Sequence, residues 1–374
     1  MLVMILDIIF ACALCLLLIY ILPMLLAYLE SSQTRQDRTD YVKTADGWRI
    51  AIHNYKPTGP VVGRPVILCH GIASNRFIFD LHNAPSLAEF LRTRNRDVWV
   101  AELRGSGCSE RPGLLLSDRP LKWNFDDHLT YDMEAIVGHV TKQTGTESVH
   151  WIGHSMGGML VQAYMSRAKS SSLASAIAIG SPTNFESMKN HYFRNGVKLR
   201  PSLGILPFNP IIPLFKCLAP FARLVPGTLS LMFSRNNIEW PVIRKIAAIG
   251  VELISSSALW QDMARFADSG KFSDPSGKYY LDGLEKSPTP LLVVCGTKDF
   301  MAPERAVLSS FTNGDADSPV RDLVVLGKKT GLKEGYGHID LLLGSRAHEE
   351  VFPMVERWLS RWDGRDTTQF QSRD

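Results

Sequence analysis

The sequence predicts an α/β fold with a doubly wound, mostly parallel sheet, and two observations predict it. Short, largely apolar runs such as Pro65–Cys69 and Asp97–Leu103 recur along the chain, and such runs are typical of parallel strands buried on both faces. Segments with apolar residues at helical spacing, such as Phe125–Thr141, alternate with these runs. Alternation of strands and helices favours a parallel sheet covered by helices.

The elements follow one another in a regular order. Strands are predicted at Trp48–Tyr55, Pro65–Cys69, Asp97–Leu103, Val149–Ile152, Leu173–Ile179, Thr289–Cys295 and Val320–Leu326. Helices are predicted at Ser86–Leu91, Phe125–Thr141, Met159–Met165 and Glu349–Trp362. Most of these strands are followed by a cluster of polar residues and glycines. Because ligands of such sheets bind at the carboxyl ends of the strands, we expect a site there.

Residues 183–285 interrupt the alternation, because they form a connection far longer than an ordinary crossover. The segment is apolar and broken by proline, which predicts a helical lid lining an apolar acyl pocket. Alternatively, its apolar residues only pack a small core of their own. The predicted boundaries are a membrane anchor (1–30), the first part of the core (31–182), the insertion (183–285), the second part of the core (286–365) and a flexible tail (366–374).

The first thirty residues predict a single-pass membrane anchor. From Ile8 to Leu29 no residue is charged, and a helix of this length would extend roughly 33 Å, enough to cross a bilayer core. A cleaved signal peptide is the alternative, but such peptides usually have a basic start, and here no Lys or Arg precedes the apolar run. The basic residues Arg35, Arg38 and Lys43 follow it, which indicates a cytoplasmic catalytic domain.

The amino-acid composition limits the kinds of binding partner and cofactor that can be expected. The formal net charge is +4 over 374 residues, which gives no reason to expect a nucleic-acid partner. The 6 cysteines include no pair with zinc-site spacing in a polar loop, so no metal or other cofactor is predicted, and they are interpreted as small buried apolar residues. The sequence does not indicate an oligomeric state.

The pattern Gly153-His154-Ser155-Met156-Gly157 directly follows the strand Val149–Ile152 and precedes a helix. This is G-x-S-x-G in the strand–turn–helix context of a nucleophile elbow, where the serine stands on a strained turn and flanking glycines avoid collisions. The alternative is a glycine-rich turn in which Ser155 only caps the helix. The preferred interpretation makes Ser155 a nucleophile.

A serine nucleophile requires a base and an acid that orients the base. Asp299 follows the strand Thr289–Cys295, and His338 lies in a glycine-containing loop after the last strand. They occur in the order serine, acid, histidine that this kind of fold uses, so we predict Asp299 and His338 as the partners of Ser155. Glu304 and Asp340 are the alternative candidates for the acid of the triad.

An oxyanion hole requires two backbone N–H groups. Met156, directly after the nucleophile, is predicted to supply one, and Ile72, in the loop after Pro65–Cys69, the other. His70 is interpreted as structural, and His154 as a residue that packs beside the site.

Six segments carry a resemblance to a known family: HGIASN, ELRGSGCS, WNFDDHLTYDMEAIVGHV, GHSMGG, GTKDFMAP and GHIDLLLG. These segments are spread over most of residues 40–365 and occur in the order expected for the α/β-hydrolase superfamily, which the chain therefore resembles. The WNF to GHV segment is similar to the acid-lipase-like branch, which includes the gastric and lysosomal lipases. The resemblance implies a triad of Ser155, Asp299 and His338 and the hydrolysis of lipid esters.

The sequence therefore predicts a membrane-anchored serine hydrolase of carboxylic esters, with lipid or long-chain acyl esters as substrates. Two alternatives stay open. The same acyl-enzyme can serve an acyltransferase or a thioesterase, because only the acceptor or the scissile bond changes. An inactive, membrane-tethered binding protein on the same scaffold would be expected to lack a triad residue, and none is missing.

Overall fold

The computed structural model describes residue 14 and residues 35–111, 122–167, 170–186, 232–252, 256–308 and 321–364. An eight-stranded sheet runs through these residues. In chain order its strands are β1 (Arg38–Lys43), β2 (Arg49–Tyr55), β3 (Val66–Cys69), β4 (Val98–Glu102), β5 (Val149–His154), β6 (Leu173–Ile179), β7 (Leu291–Gly296) and β8 (Arg321–Leu326).

The α-helices of the described residues pack against this sheet and its loops. In chain order they are α1 (Leu87–Arg92), α2 (Phe125–Asp127), α3 (Met133–Thr144), α4 (Met156–Met165), α5 (Trp240–Lys245), α6 (Ser257–Ser269), α7 (Glu304–Val307), α8 (Asp340–Leu343), α9 (Ala347–Glu350) and α10 (Phe352–Trp362). Side chains of α3, α4 and α6 belong to one buried apolar cluster, and those of α1, α5 and α10 to a second. The two clusters cover the two faces of the sheet.

The strand order is β1-β2-β4-β3-β5-β6-β7-β8. Strand β2 runs antiparallel to both of its neighbours, and the remaining neighbouring strands are parallel, which confirms the mostly parallel sheet. The predicted strands are all present, because β3, β5 and β6 are buried along their whole length and apolar runs reveal such strands. The edge strand β1 was not predicted, since its partly exposed sequence RTDYVK carries little apolar signal.

All four predicted helices have different bounds in the structure. Helix α4 begins at Met156 rather than at Met159, so that no residue separates Ser155 from the helix. The predicted helix Glu349–Trp362 is divided into α9 and α10, because Pro353 lacks an amide proton and starts a new helix. Helices α2 and α3 are continuous through a π-helical turn, His128–Asp132.

The insertion predicted at 183–285 is described in part, because residues 187–231 and 253–255 lie outside the described residues. Helix α5 continues into a π-helical turn, Ile246–Gly250, and this segment contacts the loop after β3. The Asn75 amide donates to the Ile249 carbonyl at 2.8 Å and to the Glu252 carboxylate at 2.7 Å. This π-helical segment of the insertion thus lies near the loop that follows β3, and the lid itself stays a prediction.

The predicted anchor (1–30) lies outside the described residues except for Leu14, and the predicted tail (366–374) lies outside them entirely. Across the part of the chain that the structure describes, no helix has the length and apolar character needed to span a bilayer. The predicted domain boundaries stay a prediction.

Candidate active site

Ser155 joins β5 directly to α4 in a backbone conformation that few side chains adopt. Its φ is 53° and its ψ is −118°. The Ser155 N–H donates to the Ile179 carbonyl on β6 at 2.8 Å, which fixes the turn against the neighbouring strand. Such a conformation costs about 1–3 kcal/mol and persists only where the surroundings enforce it. The strained strand–turn–helix expected for a nucleophile is therefore present, and the serine does not cap α4 with its side chain.

Three glycines give this turn the space it needs. A β-carbon on Gly153 would lie 2.2 Å from the carbonyl carbon of Gly157, and one on Gly157 would lie 2.3 Å from the carbonyl oxygen of Cys69. A β-carbon on Gly71, in the loop after β3, would lie 2.7 Å from the Ser155 β-carbon. The two glycines of the motif permit the backbone contacts of the elbow, whereas Gly71 leaves room for the serine side chain.

Asp299 and His338 form a buried pair at the ends of β7 and β8. The His338 Nδ1–H donates to Asp299 Oδ2 at 2.9 Å, and Asp299 Oδ1 accepts from the Ala302 N–H at 2.8 Å. Each residue is only 4% exposed. Because Nδ1 is engaged by the carboxylate, Nε2 is the nitrogen left to accept a proton. The structure thus brings together the predicted base and the predicted acid.

His338 also lies beside the elbow. The neighbour of the nucleophile, His154, donates from Nε2 to the His338 carbonyl at 3.1 Å, and the centres of the two rings are 4.7 Å apart. A β-carbon on Gly180, which directly follows β6, would lie 3.2 Å from both Asp299 Oδ2 and His338 Nδ1. Within the described residues the Ser155 hydroxyl makes no hydrogen bond, so the complete triad stays a prediction. Catalytic hydrogen bonds are often long without substrate.

The two predicted oxyanion residues line one cleft. Ile72 and Met156 both contribute to its wall, together with Trp123, His128 and Leu259. Ile72 and Met156 lie close together because of the sheet topology. Ile72 follows β3, Met156 follows β5, and these two strands are parallel neighbours. Their assignment as oxyanion donors stays a prediction.

A family described as "alpha/beta hydrolase fold" matches residues 64–201, which include β3, β4, the elbow and α4. The match falls on the elbow whose strained geometry is described above. Over these residues the chain matches the α/β-hydrolase superfamily, as its motifs predict. The resemblance to its lipase-like branch is confirmed by lipases among its relatives.

Relatives and solved structures extend this similarity. Lipase 1 of Drosophila melanogaster is 29% identical over 170 residues, which are 44% of this chain and 38% of that protein. Gastric triacylglycerol lipase of Homo sapiens is 32% identical over 125 residues, or 31% of each protein. The chain thus spans less than two fifths of the length of these relatives. A solved thermophilic esterase from Thermogutta terrifontis shares the fold, with a TM-score of 0.56, 19% identity and coverage of 87% of this chain and 99% of that one.

Two other histidines near the elbow, His70 and His154, make hydrogen bonds with backbone groups, and their structural roles stay a prediction. His70 accepts the Leu103 N–H on Nε2 at 3.1 Å and donates from Nδ1 to the Gly71 carbonyl at 2.7 Å. Burial lowers the pKa of His70. Burial, together with the neighbouring His338, lowers the pKa of His154 well below its usual range. Neutral rings at both positions avoid a like charge beside the imidazole that must accept a proton.

The two alternative acids, Glu304 and Asp340, do not take the place of Asp299. Glu304 begins α7 and is exposed. Asp340 accepts the Gly337 N–H at 2.9 Å and the Ser234 N–H at 3.0 Å, so it fixes the loop that carries His338. Burial raises the pKa of Asp340 to about 6 despite these hydrogen bonds.

One group that sequence reasoning missed lies on the wall of the cleft. His128, at the start of the π-helical turn, contacts Asp132 through Nδ1 at 2.8 Å, and Arg104 contacts the same carboxylate through Nε at 2.8 Å. The sequence signal is a histidine and an aspartate four positions apart on a helix, which share one face. That signal does not reveal which cavity the pair lies beside.

A second missed cluster contains His53, Glu102 and Cys108, whose ligand atoms lie within 4.8 Å of one another. The Arg76 guanidinium is in the same cluster, with Nη1 3.1 Å from His53 Nε2 and 3.4 Å from Cys108 Sγ. A fixed positive charge in this place opposes a metal cation, so the cluster fits an ion-pair network better than a metal site. Cys108 is exposed, against the expectation of buried cysteines, whereas Cys69 and Cys295 are buried as expected.

Proposed function

We propose that this chain is a serine hydrolase of carboxylic esters, with lipid or long-chain acyl esters as substrates. The observation that carries the proposal is the buried pair of His338 and Asp299 beside the strained elbow of Ser155. An imidazole oriented by a carboxylate beside a serine at a strand-to-helix turn is the arrangement that activates a hydroxyl group. The names of the lipase relatives support the same class of substrate.

The first half of the reaction forms an acyl-enzyme. His338 Nε2 takes the Ser155 hydroxyl proton as Oγ bonds to the ester carbonyl carbon, and Asp299 stabilises the imidazolium. The N–H groups of Met156 and Ile72 hold the resulting oxyanion. When the intermediate collapses, the bond to the alcohol oxygen breaks, and the alcohol leaves with the proton from His338.

The second half releases the acid. His338 takes a proton from water as the water oxygen bonds to the acyl carbon. The second tetrahedral intermediate then breaks its bond to Ser155 Oγ, which recovers its proton from His338. No step of this sequence requires a group beyond the chain itself and water.

The walls of the cleft support an acyl substrate. Ile72, Leu103, Trp123, Met156 and Leu259 line it, and apolar walls with a few polar groups are typical of small-molecule sites. Leu259 belongs to α6, within the insertion 183–285, so this insertion contributes to the wall. A lid formed by the insertion is part of the proposal.

Fluorophosphonate labelling tests the nucleophile. We expect the full-length chain to be labelled and Ser155→Ala to be unlabelled, with kcat reduced by a factor on the order of a million, as for a lost serine nucleophile. The matched control is Ser166→Ala, which removes a hydroxyl just beyond α4 that donates only to the Gln162 carbonyl. Equal labelling of wild type and Ser155→Ala would contradict the proposal.

Esters of increasing acyl length test the substrate class. We expect p-nitrophenyl ester turnover to rise toward long chains, because each buried methylene contributes about 0.8 kcal/mol. A short-chain optimum would retain the serine hydrolase and contradict the lipid substrate. Added alcohol that diverts the acyl group into a new ester would instead indicate acyl transfer.

Membrane anchoring by residues 1–30 and a cytoplasmic catalytic domain belong to the same proposal. The uncharged apolar stretch supports the anchor, and the basic residues Arg35, Arg38 and Lys43 after it support the orientation. Alkaline carbonate extraction should leave the full-length chain in the membrane and release a variant that lacks residues 1–30. Protease protection in sealed vesicles should show the C-terminus on the cytoplasmic side. Release of the full-length chain would contradict the anchor.

A further inference from the structure

The cleft that holds Ile72 and Met156 contains a second carboxylate–imidazole pair. His128 lines this cleft, is only 1% exposed, and approaches Asp132 Oδ2 through Nδ1 at 2.8 Å. It opens the π-helical turn His128–Asp132, and π-helical turns occur frequently at functional sites. The pair has no part in the proton transfers assigned to His338 and Asp299.

The surroundings of Asp132 determine which His128 nitrogen carries the proton. The carboxylate accepts from Arg104 Nε at 2.8 Å and from the Arg104 backbone N–H at 3.2 Å. Burial alone would raise the pKa of Asp132, but the hydrogen bond from His128 and the charge of Arg104 outweigh it and lower the pKa. An ionised carboxylate only accepts, so His128 Nδ1 donates to it. In a neutral ring, Nε2 is then a hydrogen-bond acceptor.

Nε2 of His128 is buried and has no hydrogen-bond partner among the described residues. A buried polar atom without a partner has lost its hydrogen bonds to water without replacing them, which destabilises the folded state. Its apolar neighbours in the cleft wall, among them Trp123 and Leu259, offer no donor that satisfies it. The wall also contains Arg104 and Ser106, and neither donates to Nε2. An unpaired acceptor in this mainly apolar wall indicates a ligand that brings its own donor.

The charge of the cleft selects the kind of donor. Arg104 is the cationic residue of the wall, and its guanidinium is neutralised by Asp132 on one side and by Asp46, at 2.6 Å, on the other. The cleft therefore has no free positive charge that would attract an anionic head group. A neutral hydroxyl group fits a lone-pair acceptor best.

We propose that His128 Nε2 accepts a hydrogen bond from a free hydroxyl group of the ester substrate and thereby selects hydroxylated esters over esters without a hydroxyl. This inference rests on the proposed ester hydrolysis and names its substrate class. The hydroxyl belongs either to the alcohol part, as in a monoacylglycerol, or to the acyl chain. His128 acts as a specificity residue and transfers no proton.

Two pairs of esters test the inference and separate the two sources. Glyceryl monolaurate against propyl laurate places the hydroxyl in the alcohol, and methyl β-hydroxylaurate against methyl laurate places it in the acyl chain. For at least one pair we expect the full-length wild type to show about tenfold higher kcat/KM for the hydroxylated ester, the size of one net hydrogen bond. In His128→Phe the ratio should fall to about one.

The ratio within each variant cancels any loss of correctly folded protein. His128→Gln retains an acceptor and should keep part of the preference, which a purely structural role of His128 would not predict. The matched control is His139→Phe, which removes another imidazole–carboxylate pair, with Asp40 at 2.9 Å, from the neighbouring helix α3. The control should keep the wild-type ratio.

Two results would overturn the inference: a ratio near one in the wild type for both pairs, or a preference that His128→Phe retains. Either would mean that Nε2 is satisfied by solvent. Failure of the proposed function looks different, because the wild type would then hydrolyse none of the four esters and would resist fluorophosphonate labelling.

Discussion

At the level of single residues, Asp299 holds His338 by one carboxylate oxygen and is itself held by the Ala302 N–H through the other. This double contact fixes the ring with Nδ1 protonated and Nε2 free. An amide in place of the carboxylate offers an N–H to His338 and favours the opposite tautomer. We therefore expect Asp299→Asn to reduce kcat by roughly ten-thousandfold, as for the corresponding change in a serine protease triad.

Steady-state hydrolysis of p-nitrophenyl esters measures the effect of Asp299→Asn. The control is Glu304→Gln, which changes another acid of the same loop region at an exposed position that begins α7. The control should keep wild-type kcat. Similar kcat values for Asp299→Asn and wild type would show that another acid orients His338.

Glu102 makes the stability of the chain dependent on acid pH. Burial alone would raise its pKa, but the hydrogen bond and charge of His53 and the charge of Arg76 outweigh burial and lower the pKa to about 2. A depressed pKa stabilises the folded state fully above the unfolded value of 4.5, and this contribution is lost as the pH falls toward 2. Its size is about 3 kcal/mol.

Denaturant unfolding of wild type and Glu102→Gln at neutral pH and near pH 3 tests this dependence. We expect the difference in unfolding free energy between the two proteins to be largest at neutral pH and to shrink near pH 3, because Glu102 of the unfolded wild type then binds a proton while the folded carboxylate, with its pKa of about 2, stays mostly ionised. A difference that stays the same at both pH values would contradict the assignment.

At the level of elements, the elbow depends on backbone contacts that a side chain would prevent. A β-carbon on Gly157, in the first turn of α4, would lie 2.3 Å from the Cys69 carbonyl oxygen, and backbone cannot move aside easily. We expect Gly157→Ala to lower the unfolding free energy by about 1–3 kcal/mol or more, the cost of overpacking, and to reduce labelling of Ser155.

Gly138→Ala is the control for this substitution. Gly138 lies in α3, is exposed, and has nothing within 4 Å of an added β-carbon. Alanine there should raise the unfolding free energy by about 0.5–1 kcal/mol, because it restricts the unfolded chain and favours helix. Thermal unfolding of both variants separates the two effects, and stabilisation by Gly157→Ala would contradict the steric argument.

Elements were predictable where a periodic pattern marks them. The buried strands β3, β5 and β6 appear in the sequence as apolar runs, and capping of α2 by Asn124 agrees with a helix start at Phe125. The π-helical turn was not predictable, because it arises from one extra residue in a helical turn and leaves the apolar pattern almost unchanged.

At the level of the whole molecule, the C-terminal helix is held to the core by a buried arginine. Arg96 is 0% exposed, and it contacts Glu356 at 2.8 Å and Asp363 at 2.6 Å at the end of α10. Asp363 also accepts the Arg64 N–H at 2.9 Å. We expect Asp363→Ala to lower the unfolding free energy by about 3 kcal/mol, because it leaves buried charge on Arg96 partly uncompensated.

Chemical unfolding followed by tryptophan fluorescence checks this value. The control is Asp322→Ala, which breaks an ion pair with Arg361 whose two side chains are 50% and 48% exposed. An exposed pair contributes less than about 1 kcal/mol, so the control should unfold almost as the wild type does. Equal destabilisation by both changes would show that burial of Arg96 adds nothing to the contact.

The sequence by itself determined the order of the strands along the chain, the elbow, and the candidates Ser155, Asp299 and His338. Apolar periodicity and a glycine motif can be recognised from neighbouring residues, and the three candidates can be recognised from their order in the chain. The tertiary structure decided which of these groups meet. It placed Asp299 on His338 rather than Glu304 or Asp340, and it opened the cleft beside His128.

The physical reason is that such contacts join residues far apart in the chain. Arg96 meets Asp363 across 267 positions, and His338 meets Asp299 across 39. No periodic pattern in the sequence indicates which partner a buried charged residue will contact. Burial in the folded core nevertheless requires that each buried charge has a partner. That choice is made only when the sheet and its loops are assembled.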